Sequence, residues 1–156
     1  MLDWRNREKR KGMCMMTKSP DCLLISMLAS AAAAGLARTL TNARLHKWGY
    51  SHISDDAFLI ASELINNAVA ASPGRQITYQ LSQDMDQVVL AVWDPSNRVP
   101  VGRPPTELTL DTLDLAPERW DDNGGWGLPI VVALAVQSGY TLDPNGGKWV
   151  WARLKP

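Results

Sequence analysis

A chain of 156 residues is long enough for one domain with a buried core and needs no disulfide or metal staple to hold it together. Sixteen basic residues balance sixteen acidic ones, so there is no positive excess to draw in nucleic acid or an anionic membrane surface, and any partner must be chosen locally. Cys14 and Cys22 form no CxxC pair and lie near no histidine cluster, which argues against a disulfide framework or a zinc site and for a reduced, cytoplasmic chain.

The N-terminus offers one rival. A basic stretch at residues 4–18 precedes an uncharged run at 22–37 whose ASAAAA resembles a signal-peptide cleavage region. Pro20 and Asp21 interrupt the junction, and the run is half alanine and shorter than the ~20 residues that span a bilayer. Export is therefore not expected. Residues 1–20, punctuated by Gly12 and Pro20 and without helical or strand period, read as a polar, mobile tail ahead of a domain at 21–156.

Residues 22–29 form an apolar run suited to a buried or edge strand. Ser30 stands where an N-cap would open a helix, and the following AAAAGLARTLTNARLHKW predicts that helix to Trp48, stopped by Gly49. Ser54, Asp55 and Asp56 predict a second helix start, a hydroxyl cap with two carboxylates in the first turn, and Ser72-Pro73-Gly74 predicts its stop. Between them Ala57, Ala61, Leu64, Ile65, Ala68 and Ser72 fall on one side, widened by Phe58 and Val69. Ile77, Tyr79 and Leu81, then Val88, Leu90 and Val92, alternate as two strands joined by a polar connection at 82–87.

Prolines 95, 100, 104, 105 and 117 mark an irregular stretch at 95–123 that reads as a lid. After glycines 124, 125 and 127, Pro129 suits the start of a third helix, with Ile130, Val131, Leu134 and Ala135 on its apolar side and an end near Gly139. Residues 140–142 and 148–152 flank the turn cluster Asp143-Pro144-Asn145-Gly146-Gly147 as a hairpin. The elements predict an α+β fold, a two-layer α/β sandwich whose mixed, mainly antiparallel sheet carries the helices on one face.

Three places offer chemistry. Glu63 and Asn67 are one turn apart on the second helix, away from its apolar stripe. A carboxylate there suits a general base and an amide oxygen suits magnesium shared with phosphates, although the same pair also suits a plain solvated face. Asp94 ends a strongly apolar strand, where its carboxylate could accept the amino group of adenine or simply form a turn. Asn123-Gly124-Gly125-Trp126-Gly127-Leu128 puts bare amides before a helix, as phosphate binding favours and as a glycine hinge would also require; it matches neither the P-loop nor the dinucleotide fingerprint.

In their order, SELINNAV, VWDPSNRVP, GGWGLPIV and the closing GGKWVWARL resemble the N box, adenine box, glycine box and last strand of the GHKL, or histidine-kinase-like, ATPases. The resemblance covers residues 22–154, and its short adenine box and ARTLTNARLHKWG helix are most similar to small ATP-binding regulators related to anti-sigma-factor serine kinases. It implies ATP and Mg2+ as ligands, Glu63 as general base, Asn67 as magnesium ligand and Asp94 as adenine anchor. Ser96, Gly125, Gly127 and Leu128 would stand beside the nucleotide. It also implies an anti-anti-sigma factor or a sigma factor as partner, no nucleic acid and no membrane, with a homodimer among the candidate assemblies.

The branch commonly has His at the position of Ala71 and Arg at that of Trp126. Losing that cation beside the phosphates bears on phosphoryl transfer more than on binding. Two functions therefore stand side by side: a protein serine kinase, and a nucleotide-switched binding module with little or no turnover. A hydrolysing machine would need a coupled transducer domain, and ranks last. His46 and His52 read as surface or cap histidines, and Trp93, Trp149 and Trp151 as core or sheet-face packing.

Overall fold

The computed structural model describes residues 21–98 and 127–156. The predicted tail, most of the predicted lid, Gly125 and Trp126 lie outside them. The described elements run β1 (Cys22–Leu28), α1 (Ala33–Trp48), a 3-10 turn (Ser51–Ile53), α2 (Ser54–Ala71), β2 (Gln76–Asp84), β3 (Gln87–Asp94), α3 (Gly127–Leu134), β4 (Gln137–Leu142) and β5 (Lys148–Leu154).

The sheet order is β1-β2-β3-β5-β4, and every pairing among the described strands is antiparallel. β3 is central, paired with β2 on one side and β5 on the other. Its alternation puts Val88, Leu90 and Val92 on the face that also carries Ile77, Tyr79 and Leu81 of β2 and Val150, Ala152 and Leu154 of β5, all buried. Onto this face α2 lays Ala57, Ile60, Ala61, Leu64, Ile65 and Ala68, joined by Ala37 and Leu45 of α1 and Val131 of α3. Ile60 belongs to the stripe, whereas Phe58 is only half-buried. Trp93 and Trp149 are cross-strand partners on the opposite face, as sheet-face packing predicts.

Both expected serine caps are absent. Helix α1 begins three residues after Ser30, whose carbonyl accepts the Ala33 N–H at 3.1 Å while no side chain caps the helix. Ser54 lies inside α2, because the 3-10 turn before it supplies the entry, and its buried Oγ has no hydrogen-bond partner. Asp55 and Asp56 do lie in that first turn. The Gly49 stop holds: its φ of 78° is the left-handed conformation glycine favours, and it lets the Tyr50 N–H reach Leu45 O at 2.8 Å.

The predicted polar connection at 82–87 is mostly strand. Asp84 pairs with Gln87, leaving Met85 and Asp86 as the turn, with Met85 at a φ of 57°. Strand β4 likewise starts earlier than expected, at Gln137, because β5 extends to Leu154 and offers Arg153 as partner. The Thr41 hydroxyl donates to Ala37 O at 2.7 Å, so the buried Tyr79 hydroxyl, 2.5 Å from Thr41 Oγ1, is the donor that ties β2 to α1. Cys22 is disulfide-bonded, against the expectation of reduced thiols.

Candidate nucleotide-binding site

An apolar central strand delivers one carboxylate to its end. Asp94 shares the helix-side face with Val88, Leu90 and Val92, and its side chain is fully buried. Three donors converge on Oδ1: Lys148 Nζ at 2.9 Å, the Ser96 N–H at 2.9 Å and the Ser72 hydroxyl at 3.5 Å. Oδ2, equally buried, has no partner. A buried carboxylate oxygen without a donor is costly, so the atom is suited to a ligand that donates.

Lys148 faces Asp94 because the two are register partners across β3 and β5. Its ammonium also donates to Ser96 O at 3.3 Å, so Ser96 clamps the ion pair through its main chain. The Ser96 hydroxyl instead accepts the Arg98 N–H at 3.2 Å, shaping the turn. Gly147 precedes the lysine at a φ of +79°, and an added Cβ would lie 2.3 Å from Asp94 O. Its N–H donates to Asn97 Oδ1 at 3.0 Å, joining the two loops at this end of the sheet.

The second group sits on α2. Glu63 and Asn67 are both half-buried, one turn apart along the edge of the stripe that carries Ile60, and burial pushes the Glu63 carboxyl above its ordinary value. Asn67 Nδ2 is buried with no partner. Ser72, just past the end of α2, links this helix to Asp94 through its hydroxyl. Helix α2 also packs against α3, whose first residues are Gly127 and Leu128. Gly125 lies outside the described residues.

These residues fit a magnesium-bound adenine nucleotide on two counts. Asp94 Oδ2 is an unfilled acceptor for an amino group, and an Asn67 amide whose nitrogen has no partner can turn its oxygen to a hard cation. Among the described residues no group of three or more His, Cys, Asp or Glu could hold a metal by itself, and a magnesium ion shared with phosphates needs none.

The model of the histidine kinase-like ATPase domain matches residues 25–154, and the chain belongs to that family. Membership implies an ATP-binding domain. No curated protein matches significantly. Among solved structures, the crystal structure of the RsbU and RsbW domains of Rv1364c from Mycobacterium tuberculosis is similar at 18% identity and a TM-score of 0.60, over 86% of this chain and 32% of that one. This chain thus spans about a third of that protein's length, and the likeness is one of fold. No helix among the described residues is long and apolar enough to cross a membrane.

Lys148, Ser72 and Asn97 were not among the expected site residues. Ser72 looked like a helix stop and Lys148 like the first residue of a hairpin strand. Only the β3–β5 register brings the lysine to the aspartate.

Proposed function

We propose that this chain is an ATP-binding regulatory domain acting as a protein serine kinase of the anti-sigma-factor type, with an anti-anti-sigma protein as substrate. The observation that carries the nucleotide part is Asp94 Oδ2, a buried acceptor without a donor, in the segment VWDPSNRVP that resembles an adenine box. Asp94 would accept the adenine amino group, Asn67 would ligate magnesium, and Gly127 and Leu128 would lie beside the phosphates at the start of α3. Bound MgATP would supply the phosphoryl group and a divalent charge to offset the phosphates.

Glu63 would accept the proton of the partner's serine hydroxyl. Its raised carboxyl is better matched to that task than a fully solvated one, since a base works best with an affinity for protons near the working pH. The fold shared with a protein that contains RsbU and RsbW domains supports a regulatory setting.

A binding module without turnover is the second reading. Trp126 and Ala71 favour it, since they replace an Arg and a His common in the branch. Purified protein incubated with labelled ATP and candidate anti-anti-sigma proteins separates the two. Label transferred to a partner serine, and lost in Glu63→Ala by about a hundredfold or more, supports the kinase. Partner affinity that changes with ATP while no label transfers supports the switch.

A further inference from the structure

The buried Lys148–Asp94 ion pair leaves the two oxygens of the aspartate in different states. Asp94 has two oxygens, and Oδ1 is fully engaged by Lys148, Ser96 N–H and the Ser72 hydroxyl. The remaining oxygen is the buried, unpartnered Oδ2. The lysine is as buried as its partner, with 1% of its side chain exposed. It is placed by main chain on both sides, by the strand register and by its bond to Ser96 O. Neither charge has water to solvate it, so each depends on the other.

We infer that Lys148 is a positioning residue for base selection: it holds the Asp94 carboxylate turned so that Oδ2 alone faces the ligand as an acceptor. The inference rests on the nucleotide-binding reading above and assigns a residue to it. A carboxylate fixed in this way can take the amino group of adenine but can offer nothing to the carbonyl of guanine. Without the ammonium, Oδ1 loses its charged donor and the carboxylate is free to rotate. It then no longer holds one oxygen toward the adenine amino group, and the advantage of adenine over guanine shrinks. The groups facing Asp94 among the described residues are Lys148 from β5, Ser72 from the end of α2 and Ser96 from the following loop; only Lys148 carries a charge.

The test measures ATP and GTP affinities by calorimetry with magnesium for the full chain and four variants. Lys148→Met should narrow the ATP-to-GTP ratio by about tenfold or more. Lys148→Arg keeps a donor to Oδ1 and should restore most of the ratio. Asp94→Asn and the double variant Asp94→Asn/Lys148→Met should share one ratio, because a lysine acting only through the carboxylate has nothing to act through once the charge is gone.

A folded Lys148→Met with the parent ratio overturns the inference. If Lys148→Met does not fold, the comparison of Asp94→Asn with the double variant decides. Different ratios there would mean that the lysine touches the base itself, and the positioning role would be wrong. A parent that binds neither nucleotide, while Lys148→Met binds ATP, would make the lysine a plug rather than a positioning residue. A parent and variants that all bind neither remove the nucleotide-binding reading on which the inference stands.

Discussion

Lys148 lies directly opposite Asp94 across the β3–β5 pair, and its ammonium nitrogen stands 2.9 Å from Asp94 Oδ1 with both side chains out of solvent. Removing one partner leaves a buried charge uncompensated. Lys148→Met should therefore cost about 3–5 kcal/mol in urea unfolding. The double variant Asp94→Asn/Lys148→Met should recover a large part of that loss. Equal costs for the single and double variants would mean that lysine packing, not charge, sets the effect.

Asp94→Asn should lower ATP affinity and narrow its advantage over GTP. In the parent, guanine would point a lone pair at Oδ2 and leave both acceptors unpaired, a cost of about 1–3 kcal/mol, where each ~1.4 kcal/mol is tenfold in affinity. An amide in place of the carboxylate can rotate to donate. Equal binding of the two nucleotides by the parent, in a competition titration, would reduce Asp94 to a turn residue.

Asn67→Ala should weaken MgATP and leave the fold intact. Asn67 is only half-buried, and the amide nitrogen it would lose has no partner in the folded chain. Calorimetry with and without magnesium is the check. A variant that matches the parent in MgATP affinity takes Asn67 out of the site.

Glu63 should make stability depend on pH in a direction opposite to that of a salt-bridged acid. Burial raises its carboxyl above the ordinary value of 4.5, so the folded chain holds the proton more tightly than the unfolded one. That contribution is fully present below 4.5 and is lost as pH rises through the raised value. Glu63→Gln, which carries no charge, should therefore gain stability relative to the parent as pH increases to neutrality. Urea midpoints that run parallel across this range would show that the carboxylate is freely solvated.

Gly147→Ala tests the closeness of the two loops. The new methyl carbon would meet Asp94 O at 2.3 Å and the Trp93 ring at 2.8 Å, on a backbone at φ +79° that L side chains rarely adopt. Strain and displacement together should cost about 2–4 kcal/mol by thermal or urea unfolding. The same variant should weaken nucleotide binding, since the displaced atom belongs to Asp94.

Much of the layout was legible because it follows from local periodicity. The stripe from Ala57 to Ala68, the alternation of Ile77 to Leu81 and Val88 to Val92, and the Gly49 stop each express one repeat or one backbone preference of neighbouring residues. The candidate residues Glu63, Asn67 and Asp94 were nameable because the boxes that carry them are contiguous. The cap serines misled, since Ser30 and Ser54 have the right chemistry, but chain entry is set by a turn and by a 3-10 segment that composition does not mark.

Sequence alone thus determined the elements, their apolar faces and the motif residues, all of which depend on spacings of a few positions. Tertiary structure alone decided which residues separated by long stretches of chain meet. Lys148 is 54 positions from Asp94, and Gly147 is 50 from Asn97. Each reads locally as part of a hairpin. What makes the lysine a partner of the aspartate is the antiparallel register of β5 on β3, which follows from pairing Val150, Ala152 and Leu154 with the apolar residues of β3 above a shared core. A shift of one residue would turn Lys148 to the other face of the sheet and leave Asp94 buried without its counter-charge.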